Sequence, residues 1–315
     1  MSKLLDEIAS VIRLRNYSLK TEKAYIGWIR KFIIYHGKQH PKDLTSKHVE
    51  GYISYLVNTR GVSVSTSKQA FNSIMFMYNQ VLKIQLDYMD NIAKSKRPQK
   101  MPEVLSQEEL AAVFSHLKGM HLLICRLLYG TGCRLMEIME LRVKDIAFDR
   151  NQIMIKQGKG NKDRVTPLPL SLKEELQNHL VKVKKLHDND LANGFGTVFL
   201  PQGLEKKYNS KDYGWQWVFP SGKLSVCPQT QLVRRWHIHE TNIQKALREA
   251  GKQAGLNKNM HPHLLRHTFA TYLLEKGTDI VTIQKLLGHS DISTTAIYLH
   301  VARTGGAGVI SPLDM

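Results

Sequence analysis

The sequence is poor in cysteine and lacks a long apolar run. Its three cysteines, Cys125, Cys133 and Cys227, are far apart and form no CxxC pair. An odd number of separated cysteines argues against a disulfide framework or a structural zinc site and suits a reducing cytoplasm. The longest apolar stretch, 122–129, contains Arg126 and is too short to cross a bilayer. The N-terminus mixes acids and arginines into its apolar pattern, so we expect no signal peptide.

Acidic residues are scarce relative to basic ones. The 315 residues include 45 Lys and Arg against 27 Asp and Glu, which gives a formal net charge of +18 and a pI near 9.7. Hydrophobic residues make up 42% of the chain, enough for a large core. This balance favours a polyanionic partner, nucleic acid before membrane; the alternative is a basic enzyme with a solvated surface.

The N-terminal residues 1–92 predict a bundle of about four helices, because apolar residues recur there at helical spacing. Many lysines lie on the faces that this pattern exposes, either in a solvated surface or in one that faces DNA. The segment 93–104 is predicted to be a basic linker with two prolines, which block a continuous helix, and with charges that suit a phosphate backbone. Its basic residues are Lys94, Lys96, Arg97 and Lys100.

The remaining residues, 105–315, predict a mostly helical domain with one β-hairpin. Ser106 and Glu109 form the S-x-x-E pattern of a capping box at a helix start. Strand-like runs at 152–156 and 163–168 flank a turn rich in Gly and Asn, as in a hairpin.

Four short motifs carry side chains suited to an anionic substrate. An arginine at a helix start adds its guanidinium to backbone N–H groups that bind anions, and a His and an Arg three residues apart share a helix face. Taken singly, each motif also fits a surface cation, a turn residue, a structural histidine or a packing tyrosine. The GKGNKD turn does not meet the P-loop pattern, so we expect no nucleotide cofactor. The motifs are GTGCRLME with Arg134 and Glu137, the hairpin tip with Lys159, HLLRH with His263, Arg266 and His267, and LGH with His289, followed nine residues later by Tyr298.

In this order, the motifs resemble those of the tyrosine recombinase (phage-integrase-like) family. The likeness covers the C-terminal two-thirds of the chain, and the N-terminal helices resemble the family's SAM-like core-binding domain. It implies a mainly α fold that forms a C-shaped clamp on DNA. The implied parts are a helical core-binding domain at 1–92, a basic linker at 93–104, and a mostly α catalytic domain with a small β-hairpin sheet at 105–315.

The resemblance also implies a reaction. Tyr298 would attack a DNA phosphodiester and form a 3′-phosphotyrosine, while Arg134 and Arg266 hold the non-bridging oxygens. A cationic site favours the phenolate of a tyrosine, whose ordinary pKa is about 10. Lys159 would protonate the leaving 5′ oxygen as general acid.

Four further residues complete the implied catalytic site. His263 and His289 would add hydrogen bonds to the phosphate, and His263 is also a candidate to take the tyrosine's proton. Glu137 and His267 would support the site. Because the phosphotyrosine stores the bond energy, the resemblance implies no cofactor and no metal.

Residues 186–236 follow a helix predicted over 171–185 and are aromatic, rich in turns and low in periodicity. They closely resemble the extra segment of integron integrases. That likeness implies that a group of residues cradles extrahelical bases of a folded single-stranded cassette site, although Trp236 departs from the histidine common at its position. The aromatics could instead form a small core, and Cys227, His237 and His239 are a less favoured metal set. The implied base-binding residues are Trp215, Pro228, Trp236 and His237.

The function implied is integration and excision of gene cassettes by a bacterial, cytoplasmic, nucleoid-associated recombinase. Its partners would be DNA, as a double-stranded attachment site and a folded single-stranded cassette site, and other copies of itself in a tetrameric synapse, with no membrane. The alternatives are a chromosome-dimer-resolving or phage-type recombinase on duplex sites, and a type IB topoisomerase. A DNA-binding protein without chemistry is a third, against which the complete set of motifs argues.

Overall fold

The computed structural model describes residues 2–15, 17–89, 102–156, 163–200, 204, 207–227 and 230–300. The chain divides into two compact units, Met1–Lys100 and Met101–Met315, each with its own hydrophobic core. The division falls inside the segment that the sequence predicts to be a basic linker.

The N-terminal unit is a helical bundle. Two of its helices begin at serine caps, where Ser18 Oγ accepts a hydrogen bond from Thr21 N at 3.1 Å and Ser63 Oγ accepts one from Thr66 N at 3.2 Å. The last two helices continue as π-helical turns over Tyr55–Thr59 and Met77–Leu82. The helices are α1 (Ser2–Leu14), α2 (Leu19–Tyr35), α3 (Ser46–Ser54) and α4 (Val64–Phe76). The core between them includes Ile8, Ile12, Ile29, Phe32, Ile53 and Ile74.

The C-terminal unit is also mainly helical. The predicted capping box is present at its first helix, since Ser106 Oγ accepts from Glu109 N at 3.2 Å and Glu109 Oε2 accepts from Ser106 N at 2.8 Å. Its helices are α5 (Gln107–Ser115), α6 (Gly119–Thr131), α7 (Leu135–Met139), α8 (Leu170–Ala192), α9 (Glu240–Gln253), α10 (Pro262–Glu275), α11 (Ile280–Leu287) and α12 (Ser293–Ala296). Short 3-10 turns lie at Pro41–Asp43 in the first unit and at Val143–Asp145, Tyr213–Trp215 and Ile297–His300 in this one.

Two small antiparallel sheets accompany these helices. The first has the order β1–β2–β3, in which Ile153 pairs with both Ile146 and Thr166. The second is the pair β4–β5, in which Leu224 lies opposite Arg235. The strands are β1 (Ile146–Ala147), β2 (Gln152–Ile155), β3 (Arg164–Pro167), β4 (Pro220–Val226) and β5 (Val233–His237). The predicted hairpin corresponds to β2 and β3, whose connecting turn lies outside the described residues.

One helix is longer than the sequence predicts. We expect a helix over 171–185, but α8 runs from Leu170 to Ala192. Its buried side continues through His187 and Asp190, and these polar residues weaken the apolar pattern on which the prediction depends. Asp190 is buried because Arg235 on β5 holds its carboxylate with two hydrogen bonds.

Candidate active site

The GTGCR motif ends α6 and forms the turn that leads into α7. Gly132 has a φ of +63°, and a Cβ added there would lie 2.3 Å from Cδ1 of Phe269. Only glycine adopts this conformation in so tight a space, so the turn requires it. The chain then places Arg134 at the N-cap of α7, with its side chain 20% exposed.

The Glu137 carboxylate binds two arginines. Oε1 accepts hydrogen bonds from Nη1 of Arg134 at 2.8 Å and from Nη1 of Arg164 at 2.9 Å. Oε2 accepts from the backbone N–H of Arg134 at 2.7 Å and from Nη2 of Arg164 at 2.6 Å. Burial alone would raise the pKa of Glu137, but these hydrogen bonds and the charge of Arg164 outweigh it and lower the pKa to about 2.

Arg266 lies on α10 and is only 3% exposed. It donates hydrogen bonds to the carbonyl oxygens of Gly132 and Leu287, each at 2.7 Å. Its Nη2 also donates to Nε2 of His289 at 2.9 Å. Burial and the neighbouring charge of Arg134 lower the pKa of Arg266 to about 10, so the guanidinium stays protonated at neutral pH.

His289 follows the end of α11, where Gly288 closes the helix with a φ of +63°. Because Nε2 of His289 accepts from Arg266, its Nδ1 carries the proton of the neutral ring and faces Thr295 Oγ1 at 2.9 Å. The L-G-H motif thus brings an imidazole against the second arginine of the cluster.

Tyr298 lies on the 3-10 turn after α12 and is 2% exposed. It packs with Phe269, Leu287 and other apolar residues of the C-terminal unit. Burial raises its pKa, while the charges of Arg266 and Arg134 act in the opposite direction. The tyrosine therefore lies within the electrostatic reach of both arginines, as the motifs predict.

The hydroxyl of Tyr298 contacts His267, whereas the sequence offers His263 as a candidate to take its proton. Nδ1 of His267 lies 3.0 Å from Tyr298 Oη. Burial, followed by the charges of His263, His261 and Arg266, lowers the pKa of His267 to about 4. The imidazole is therefore neutral at pH 7. His263 is exposed at the edge of the cluster, with its ring centroid 6.4 Å from that of His267.

Arg164 is a member of this cluster that the sequence does not single out. It begins β3, and its side chain is 10% exposed. Besides its two bonds to Glu137, it donates from Nε to the Leu286 carbonyl at 2.9 Å. A single arginine at the start of a short strand is normally a surface residue, so no pattern in the sequence signals this position.

The aromatic residues at 215–237, in the segment that resembles the integron insertion and just after it, pack in two small groups. Trp215 is 7% exposed and packs against Val198 and Leu200. The ring centroid of Trp217 lies 5.3 Å from that of Trp236 and 5.1 Å from that of His237. His237 is buried and Trp236 is half-buried. Burial of Trp215 and His237 favours the small-core alternative for these two residues, and their role with bases stays a prediction.

Several predicted site residues lie outside the described residues. Their catalytic and DNA-binding roles therefore stay predictions. These residues are Lys159, Pro228, Lys94, Lys96, Arg97 and Lys100.

Sequence comparison decides the family. Residues 103–304 match the phage integrase family, and residues 4–88 match the phage integrase N-terminal SAM-like domain. The chain belongs to the phage integrase family of tyrosine recombinases. The tyrosine recombinase prediction is therefore confirmed, whereas the integron branch remains a prediction.

Relatives of this recombinase span nearly its whole length. An integrase/recombinase from Escherichia coli is 45% identical over 99% of this chain and 93% of its own. A tyrosine recombinase from Pseudothermotoga lettingae is 30% identical over 96% of this chain and 94% of its own. The structure of the XerH site-specific recombinase bound to a palindromic difH substrate aligns with a TM-score of 0.62 at 23% identity, covering 93% of this chain and 80% of that one. This likeness confirms the predicted mainly helical fold. Within the described residues of the recombinase, no helix is long and apolar enough to span a membrane.

Proposed function

We propose that this recombinase cuts and rejoins DNA through a covalent 3′-phosphotyrosine at Tyr298, and that it integrates and excises gene cassettes. The observation that carries the catalytic part is the 3.0 Å contact between Tyr298 Oη and His267 Nδ1, beside Arg266 and His289. DNA is the partner that fits a net charge of +18. A recombinase of the same fold, XerH, was solved on a DNA substrate.

In the first step, the O–H bond of Tyr298 breaks and its oxygen forms a bond to phosphorus. Arg134 and Arg266 bind the non-bridging oxygens, with a hydrogen bond from His263. His289 acts through Arg266, because its Nε2 accepts from that guanidinium and its Nδ1 faces Thr295. The bond from phosphorus to the 5′ oxygen breaks, and Lys159 protonates that oxygen. A 5′-hydroxyl from the partner strand then gives its proton to Lys159 and attacks phosphorus. The bond from phosphorus to the Tyr298 oxygen breaks, and that oxygen takes its proton back from His267, which restores both a phosphodiester and free Tyr298.

We assign the phenol's proton to His267. Its Nδ1 lies within hydrogen-bond distance of the phenol oxygen, which is the geometric requirement for a general base. With a pKa near 4 it is a weak base in the free protein. Burial is the main cause of this low pKa, and the charge of Arg266 adds to it. A phosphate bound to Arg266 offsets that charge, which moves the pKa of His267 upward and makes it a better acceptor.

Cassette recombination rests on the insertion that contains β4 and β5. Trp236 is half-buried beside the buried rings of Trp217 and His237. A partly exposed indole on a packed aromatic base suits stacking with a base that has left its helix. We extend this to a folded single-stranded cassette site as substrate and a tetrameric synapse as the assembled form.

A second candidate is recombination between ordinary duplex sites. The burial of Trp215 favours it, because a tryptophan that fills a core cannot stack on a base without local rearrangement. A type IB topoisomerase is the more distant alternative, and it would relax supercoiled DNA that lacks any attachment site.

The test compares binding to a folded single strand that carries bulged bases with binding to a perfect duplex of the same sequence, at one fixed salt concentration. Cassette recombination predicts tighter binding to the folded strand, and that this preference is lost in Trp236→Ala. Equal affinity for both DNAs would favour the duplex recombinase. Site-independent relaxation of a plasmid would favour the topoisomerase.

A further inference from the structure

Arg164 connects three parts of the candidate site. It is the first residue of β3 and follows Lys159 by five positions in the sequence. Its Nη1 and Nη2 donate to the two oxygens of Glu137 on α7, and its Nε donates to the carbonyl of Leu286 at the end of α11. A Cβ added to Gly288, the residue before His289, would lie 3.1 Å from both Cδ and Nη1 of Arg164. The Arg164 guanidinium thus connects β3 to α7 through Glu137 and to the end of α11 through Leu286.

The bonds to Glu137 decide what Arg134 can do. The carboxylate is shared: each oxygen accepts one hydrogen bond from Arg164 and one from Arg134. Without Arg164, the buried carboxylate of Glu137 would have Arg134 as its one charged partner among the described residues and would bind that guanidinium more tightly. Its attraction for a phosphate oxygen would fall accordingly, because opposite charges in a low-dielectric site compete strongly.

The net charge of the cluster also indicates that Arg164 favours phosphate binding. Arg134, Arg164 and Arg266 against Glu137 leave an excess of two positive charges. A phosphodiester carries one negative charge, and further negative charge develops on its oxygens as the transition state forms. If a neutral residue replaces Arg164, the excess falls to one positive charge. That excess balances the single charge of the bound phosphodiester but not the larger charge of the transition state.

We propose that Arg164 is a positioning residue for DNA cleavage: by neutralising Glu137 it leaves Arg134 available to the scissile phosphate. This inference rests on the proposed function, in which Arg134 binds that phosphate. Arg164 itself does not touch the substrate, and it acts through Glu137.

Covalent-adduct formation on a nicked DNA substrate measures this role. Arg164→Gln should slow adduct formation by up to about 100- to 1,000-fold, the range seen when one group that stabilises charge in the transition state is removed. The dissociation constant for DNA should change far less, because many other phosphate contacts contribute to binding.

The decisive comparison adds Glu137→Gln to Arg164→Gln. The double variant again has an excess of two positive charges and no carboxylate to capture Arg134. It should therefore form the adduct at least several times faster than Arg164→Gln. A residue needed only for packing predicts the opposite, since a second substitution in the cluster would not restore the rate. Arg164→Lys, which keeps the charge, should fall between wild type and Arg164→Gln.

Folding is checked by thermal denaturation of each variant. If Arg164→Gln leaves Glu137 unpaired and does not fold, the double variant removes the pair together and carries the test. The double variant should then form the adduct at a rate within about 10-fold of wild type, which corresponds to about 1.4 kcal/mol of activation free energy. The proposal is overturned if Arg164→Gln cleaves at the wild-type rate, or if the folded double variant is as slow as the single variant or inactive. A wild-type protein that forms no adduct would instead contradict the proposed function.

Discussion

Nδ1 of His267 lies 3.0 Å from Oη of Tyr298, and this contact joins α10 to the 3-10 turn that follows α12. The tyrosine proposed as nucleophile is therefore buried and in contact with a neutral imidazole. Both residues belong to motifs that the sequence marks, yet only the folded chain shows which histidine contacts the hydroxyl.

This pair predicts a pH dependence of stability. His267 has a folded-state pKa of about 4, below the ordinary 6.5, so the unfolded chain binds more protons between these values. The contribution of His267 is fully present above about pH 6.5 and is lost as the pH falls toward 4, by up to roughly 3 kcal/mol. Thermal denaturation at pH 7 and pH 5 should show a smaller loss of stability in His267→Gln than in wild type.

The control for this prediction is His116→Gln, at the exposed end of α5. It should leave the difference between pH 7 and pH 5 as it is in wild type, since His267 and the other buried histidines are the same in both proteins. A His267→Gln protein with the same acid sensitivity as wild type would show that this imidazole is not the group responsible.

Lys159→Ala should slow cleavage strongly, because the leaving 5′ oxygen needs a proton. Replacing that oxygen with sulfur, a much better leaving group, should restore cleavage in the variant. The matched control is Lys156→Ala on the same hairpin, whose Nζ lies 3.1 Å from Asp145 Oδ1. Cleavage by Lys156→Ala should not be accelerated by sulfur more than cleavage by wild type is. If sulfur leaves Lys159→Ala as slow as before, Lys159 is not the general acid.

Substitution of Trp215 and of Trp236 should have different effects on DNA binding and on stability. Trp236→Ala should weaken binding to a folded single-stranded site by about 1–3 kcal/mol, the cost of one lost stack, and change duplex binding little. Trp215→Ala should lower the melting temperature and weaken both complexes, because Trp215 is 7% exposed and fills the small core with Val198 and Leu200. Paired binding curves and thermal denaturation separate the two results. Equal losses on both DNAs for Trp236→Ala would remove it from base recognition.

Much of the fold can be predicted from local patterns. The capping box at Ser106 and Glu109 and the strand-like runs at 152–156 and 163–168 are short-range signals, and the structure contains the capping box and the paired strands β2 and β3. The family resemblance also predicts that one site contains Arg134, Arg266, His289 and Tyr298. It can do so because a known family fold carries information on long-range contacts, which periodicity does not.

The unpredicted features depend on tertiary contacts. Arg164 lies 27 residues from Glu137 and 122 from Leu286 along the chain, so nothing near it in sequence reports its partners. The end of α8 is missed because the buried Asp190 is stabilised by Arg235 from a distant strand. Helical spacing places His263, Arg266 and His267 near one another, but it cannot tell which histidine meets a tyrosine 31 residues further on.

The most direct test of the account is adduct formation by Tyr298→Phe on a nicked DNA substrate, analysed on a denaturing gel. Only the hydroxyl is lost, so the substituted ring keeps its packing and DNA binding should remain nearly intact. Tyr78→Phe is the matched control, a buried tyrosine of the N-terminal unit whose hydroxyl donates to the Pro41 carbonyl at 2.8 Å. The account predicts that the covalent protein–DNA adduct disappears in Tyr298→Phe and persists in Tyr78→Phe. An adduct that survives in Tyr298→Phe would contradict it.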